Sequence, residues 1–204
     1  MKSYAAYAIG AALVDTEIQV TDNDLVAMNV EKGMMTLMDQ SQQTHMLSQL
    51  TEHLIQASHA SGGSAGNSMI ATALMGAPTY MSCKVAQDTD GDIYLSDLEQ
   101  SGGAHGLNDQ RKEGVTGKCL VLITPDAERS LNTHLGISET LSVDEVNEDA
   151  IKASQWVYLE GYLVTSPIGN AAALKTKALA AQQQIQKAVR HSDPGRVQTY
   201  RDTM

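Results

Sequence analysis

Cysteine is scarce in this chain. Cys83 and Cys119 are the only two, each inside an apolar, strand-like run. A disulfide framework is excluded, and buried reduced thiols in a cytoplasmic protein are expected. Cations are also in short supply, with 14 Lys and Arg against 24 Asp and Glu and a net charge of −10. A broad nucleic-acid surface needs clustered Lys and Arg, so no nucleic-acid partner is expected. No apolar run reaches membrane-spanning length, because polar residues interrupt every candidate, so no membrane partner is expected either. Internal repeats and low-complexity linkers are missing, and residues 1–204 read as one domain. Phenylalanine is absent, against ten Met and seven Tyr, and nothing in the sequence accounts for it.

Strand-like and helix-like stretches fill the rest. The opening "MKSYAAYAIGAALVDTEI" has one Lys and a short apolar stretch but no clear cleavage site, so it reads as a buried strand over 4–14 rather than a signal peptide. "TEIQV" at 16–20 and "GMMTLMD" at 33–39 alternate as half-exposed strands. From 39 to 57 the apolar residues Met46, Leu47, Leu50, Leu54 and Ile55 fall at helical spacing behind an acidic cap. Helices follow in "SMIATALMGA" and "DTDGDIYLSDLEQSGG", with a strand at 79–86 between them. "KCLVLITP" and "RSLNTHL" form a hairpin. A short helix near 143–153, the strand "WVYLEGYL", a helix after Pro167, the strand "KAVRHS" and a helix from Asp193 complete the chain. Strands alternating with helices predict an α/β layered fold with a largely parallel sheet. The polar β segments near 16–38 and 115–135 predict a small sheet beside the main one.

"ASHASGGSAGNSMI", residues 57–70, carries a literal G-x-S-x-G at Gly62–Gly66. A serine hydrolase using Ser64 needs a buried strand directly before it, and the polar, helix-spaced "TEHLIQASHA" does not read as one. His105, His134 and His191 are available as triad partners, but none has distinctive surroundings. Two other readings stay open. Gly62 and Gly63 let backbone approach a ligand at a helix N-terminus, with Asn67 one turn in; or they merely turn the chain into the helix. "DTDGD" lacks the Gly and Glu of a calcium loop and reads as a helix cap, and "GVTGK" is too short for a Walker loop. The histidines show no metal-ligand spacing.

Taken together, "AIGAALVDTEIQVTD", "VEKGMMTLMD", "SGGSAGNSMIATALMGAPTYMSCKVAQDTDGDIYLSDLEQSG", "TGKCLVLITPDAERSLNTHLGIS" and "VYLEGYLVTSP" resemble the ribokinase-like (PfkB) sugar and nucleoside kinases, in particular bacterial adenosine kinase-like members. The resemblance implies a three-layer α/β/α sandwich with a small β-sheet lid, and transfer of the ATP γ-phosphate to a sugar or nucleoside CH₂OH with Mg²⁺. It implies that Asp15 binds two ribose hydroxyls and that Gly62, Gly63 and Asn67 hold the sugar from the loop side. Glu160 and Arg129 lie where some members contact substrate. For Asp15 the plain alternative is a residue capping the turn at a strand end.

Two departures stand out. Ala11 occupies a place where the family usually has Asn, so one substrate contact is missing. The family's Gly-Ala-Gly-Asp signature, which supplies the anion hole and catalytic base, occurs nowhere in the sequence and belongs beyond the point matching Met204. The expectation is a C-terminally incomplete fold without a catalytic residue of its own, either part of a kinase or a non-catalytic sugar- or nucleoside-binding module. An open sheet edge would then favour self-association.

Overall fold

The computed structural model describes residues 2–50, 58–107 and 111–190. The helix expected from Asp193, His191 and the stretch 51–57 lie outside the described residues.

The main sheet is parallel throughout, in the order β10-β9-β1-β5-β6. Its strands are β1 (Tyr4–Ile9), β5 (Thr79–Ser82), β6 (Gly103–His105), β9 (Ser154–Glu160) and β10 (Gln186–Arg190). Side chains of β1 alternate between two cores, as the pleat requires. Ala8 joins Met81 beneath α3 (Ser64–Leu74) and α4 (Thr89–Gln100). Tyr7 and Ile9 join Val157 and Leu159 beneath α5 (Glu148–Lys152) and α6 (Pro167–Gln182). Helices therefore cover both faces, the three-layer arrangement expected. From β1 the strand order runs through β5 to β6 on one side and through β9 to β10 on the other. The sheet thus has a topological switch point between β1 and β9, where open α/β sheets hold ligands at the carboxyl ends of the strands.

Without phenylalanine, tyrosines supply the aromatic core. Tyr7 and Tyr94 are fully buried, and Tyr7 stacks on Tyr80 with ring centroids 5.8 Å apart. The Tyr7 hydroxyl donates to Ser82 Oγ at 2.8 Å, whereas the Tyr94 hydroxyl has no protein partner.

A second sheet has the order β3-β8-β7-β2-β4. It consists of β2 (Leu13–Gln19), β3 (Met35–Leu37), β4 (Ser58–Gly62), β7 (Gly117–Ile123) and β8 (Arg129–His134). One face is apolar: Ile18, Leu120 and Leu122 pack on Leu25 of α1 (Asp22–Ala27) and Met46 of α2 (Gln40–Gln49). The other face turns toward the main sheet.

Three expectations need correction. The run 4–14 is two strands, because the chain breaks at residues 10–12 and passes from one sheet to the other. Helix α2 ends at Gln49, and Ser58–Gly62 is a strand, so a strand does precede Ser64; it carries no large apolar residue because it lies at the sheet edge. Helix α1 went unforeseen, since six residues with one buried side chain leave no periodicity to detect.

The chain passes between the sheets four times, at residues 10–12, 62–64, 114–117 and 135–137. The crossings touch backbone to backbone. A Cβ on Gly63, whose φ is +86°, would lie 2.5 Å from Ala11 O, and one on Gly117 would lie 2.7 Å from Ala12 O. Ser138 Oγ accepts from Ala12 N–H at 3.2 Å and donates to Ala12 O or Lys84 O, at 2.9 and 3.0 Å, which ties the first crossing to the loop after β5.

Candidate functional site

A cavity of about 600 Å³ lies between the second sheet and the carboxyl ends of β1, β9 and β10. Its roof follows from strict alternation. Leu13 and Asp15 of β2, Cys119 of β7, Arg129, Leu131 and Thr133 of β8, and Met35 and Leu37 of β3 all project from one face. Its floor comes from the strand ends: Ala11 after β1, Glu160 closing β9, Arg190 closing β10, and Gly63, Ser64 and Asn67 at the start of α3.

Of the six residues marked by the sequence, five line this cavity: Asp15, Gly63, Asn67, Arg129 and Glu160. Gly62 does not. It ends β4 with its Cα against the Asp15 carboxylate, where any Cβ would overlap that carboxylate, so its part is to make room for Asp15.

Glu160 is 4% exposed, and its Oε2 accepts from Ala11 N–H at 2.9 Å. Burial pushes its carboxyl up to about 7, against the opposing effects of the Ala11 N–H and the Ser64 hydroxyl. Burial likewise pushes Asp15 up to about 6; the positive charge of Arg129 opposes this and Glu17 adds to it. Arg129 reaches Glu17 at 3.7 Å from a half-exposed position. Gly63 caps α3 with no side-chain hydrogen bond, which leaves that helix start open to a ligand.

Ser64 Oγ is buried and meets no partner at hydrogen-bonding distance and angle, although it lies near enough to Glu160 to affect its carboxyl. Strand, turn and helix resemble a nucleophile elbow, but no histidine among the described residues lines the cavity. The serine lacks the base that an elbow serves.

Sequence reasoning missed Ala11 N–H, Cys119, Leu131, Thr133 and the β3 side chains. The alternation in "RSLNTHL" and "MTL" was the available signal, but it does not say which face looks onto a cavity.

Solved structures share the fold. A probable sugar kinase from Rhizobium etli superposes with a TM-score of 0.92 at 29% identity, over 99% of this chain and 60% of that one. The adenosine kinase from Sinorhizobium meliloti superposes with a TM-score of 0.90 at 30% identity, over 98% and 60%. Among curated proteins, the adenosine kinase of Schizophyllum commune is 25% identical over 193 residues, 88% of this chain and 53% of that protein. The chain therefore spans about half the length of that curated relative and about three fifths of these solved chains. The fold is the ribokinase-like α/β sandwich. The pattern of the pfkB family carbohydrate kinases matches residues 33–203, and this chain belongs to that family.

Proposed function

We propose that this chain holds the sugar of a nucleoside or small carbohydrate, as the substrate-binding part of an ATP-dependent phosphotransferase acting on a CH₂OH group. The observation that carries this reading is the meeting of Asp15, Glu160, Asn67 and the open start of α3 on one cavity at the switch point. Carboxylates accept hydrogen bonds from vicinal hydroxyls, and those to charged acceptors are the stronger ones. Asp15, ionised above about pH 6, takes that role. Glu160, balanced near pH 7, can accept from a hydroxyl or donate to one. Backbone at the α3 start is fixed before the ligand arrives and needs no reorganisation. The second sheet acts as the lid.

The family implies ATP and Mg²⁺, and ATP supplies the phosphoryl group when bound. The described residues do not build a site for them. Among the described residues no three His, Cys, Asp or Glu side chains converge, and Arg129 and Arg190 are the only cations that line the cavity. This chain's share is the sugar: binding it, orienting its hydroxyls and excluding water. Binding without transfer is the second reading.

Calorimetry with adenosine and with ribose tests the reading. Asp15→Asn should abolish measurable binding while leaving the circular dichroism spectrum unchanged. Equal affinity in wild type and variant would remove Asp15 from the site. On the transfer question, the 204-residue chain should bind adenosine yet show no ATP-dependent phosphorylation. Turnover that vanishes in Asp15→Asn would overturn that expectation, since a contaminating kinase could not respond to the change.

A further inference from the structure

A second crevice, of about 330 Å³, opens at the carboxyl ends of β5 and β6 and shares no lining residue with the cavity at Asp15. Its walls are the segments after those two strands, the stretch Arg111–Lys112, and residues 144–147 at the end of the 3₁₀ turn Val143–Glu145. The backbone pairing of Ala86 with Lys112 holds Arg111 and Lys112 beside the segment after β5.

Two chains of hydrogen bonds start at Asn147 and end on hydroxyls of this crevice. In one, Asn147 Nδ2 donates to the Tyr80 hydroxyl at 2.8 Å. That oxygen lies against Gly106, where a Cβ would come within 2.6 Å of it, and Tyr80, Gly106 and Asn147 all line the crevice. In the other, Asn147 N–H donates to the Tyr7 hydroxyl at 3.4 Å, which donates in turn to Ser82 Oγ. Tyr80 and Ser82 are both buried, and neither hydroxyl proton meets an acceptor among the described residues. Each donor in such a chain polarises the next, so these two protons are strong donors left without a partner.

The crevice's own acceptors are largely spent. Glu145 accepts from Lys84 at 3.0 Å and from Ser142 N–H at 2.8 Å, and Asn147 Oδ1 accepts from Ala150 N–H. Asp144 is exposed at the rim. Lys84 also donates to Thr140 O, and Arg111 meets Asp92, outside the lining, at 2.7 Å. Lys112 pairs with no acid among the described residues. Lys84, Arg111 and Lys112 against Asp144 and Glu145 leave the lining with one net positive charge.

We propose that this crevice is a second ligand site, for a small polar carboxylate whose oxygens accept from the Tyr80 and Ser82 hydroxyls and from Lys112. A single negative charge balances the lining, whereas a dianionic phosphate would leave it negative, and bonds to a charged acceptor are the stronger ones.

Amide-shift titration of the full chain with lactate, lactamide and inorganic phosphate tests this. Lactate should give saturable shifts confined to residues 80–85, 106–107 and 144–147, with lactamide and phosphate each weaker by at least about tenfold. Lys112→Gln, an exposed change that spares the fold, should weaken lactate by about tenfold, and Tyr80→Phe by at least as much, with adenosine affinity unchanged in Lys112→Gln. Lactamide binding as well as lactate, phosphate binding more tightly, or shifts that never saturate would each overturn the proposal. So would lactate affinity unaltered in Lys112→Gln, whatever becomes of the sugar-binding reading.

Discussion

Ala11 N–H donates to Glu160 Oε2 at 2.9 Å, joining the carboxyl ends of two neighbouring parallel strands, β1 and β9. The bond lies where the chain leaves the main sheet for the second one. It holds a buried carboxyl at the floor of the cavity while Asp15, four residues further along the chain, hangs from the roof. One short stretch thus fixes both acids relative to each other.

Those acids make stability depend on pH. Glu160 is raised from its ordinary 4.5 to about 7 and Asp15 from 3.8 to about 6, chiefly by burial. The folded chain therefore binds these protons more tightly than the unfolded one, and their contribution to stability falls as pH rises from about 4 to 7. Asp126, which its hydrogen bond from Lys32 holds low, and Asp39, held low by the Gln42 N–H, shift the opposite way. The readout is thus the difference between wild type and variant. Glu160→Gln should gain on wild type, by on the order of 2 kcal/mol, as urea unfolding is moved from pH 4.5 to 7.5. A difference that stays constant with pH would show that Glu160 is not strained by its burial.

Gly63→Ala should destabilise the chain by about 1–3 kcal/mol, because the position combines a φ of +86° with a backbone oxygen 2.5 Å from the new Cβ. Relief of that clash must move Ala11, so riboside affinity should fall as well. Unfolding by urea and calorimetry at matched temperature measure the two effects. An unchanged midpoint would mean that the crossing yields easily.

Ser64 should remain unlabelled by a fluorophosphonate probe. Its Oγ is buried and no histidine among the described residues lines its cavity. Nucleophilic serines depend on an adjacent base for activation. Stoichiometric labelling at this residue, located by peptide mass spectrometry, would restore the hydrolase reading.

Tyr94→Phe, which introduces the residue type this chain lacks, should stabilise the fold by about 1 kcal/mol. The ring is fully buried and packs on Gly66, and its hydroxyl has no protein partner. A buried hydroxyl without a bond costs free energy that a phenyl ring of the same shape does not. A lower urea midpoint in the variant would show that the hydroxyl is satisfied after all.

Much of the layering was legible because its signals are local. Asp39 and Asp88 cap α2 and α4, Gly76 stops α3, and the strand-like runs 117–123 and 129–134 on either side of a short turn announce a hairpin. What stayed hidden depends on partners far away in sequence. Leu13 and Val14 look like a continuation of β1 until β7, a hundred residues on, pairs with them. Ser58–Gly62 has no strand-like side chains and becomes a strand only by lying along β2. The same holds for the site. Asp15 stood out as the acid that ends the apolar run 4–14 and Glu160 through the family resemblance, whereas the Ala11 N–H and the Thr133–Cys119 bond appear only once register is fixed.

The four glycine-bearing crossings between the sheets also bear on how the molecule comes apart. A sheet tethered by one strand could peel away and reattach by itself. Here β1 runs into β2, β4 into α3, β6 toward β7 and β8 back toward β9, so each sheet's chain order is interleaved with the other's. Neither sheet can lose its pairing without pulling on a strand of its neighbour. The two layers, although each has its own core, therefore share a single cooperative unfolding unit, and amide protons at the middle of β2 should exchange only as slowly as those of β1 allow.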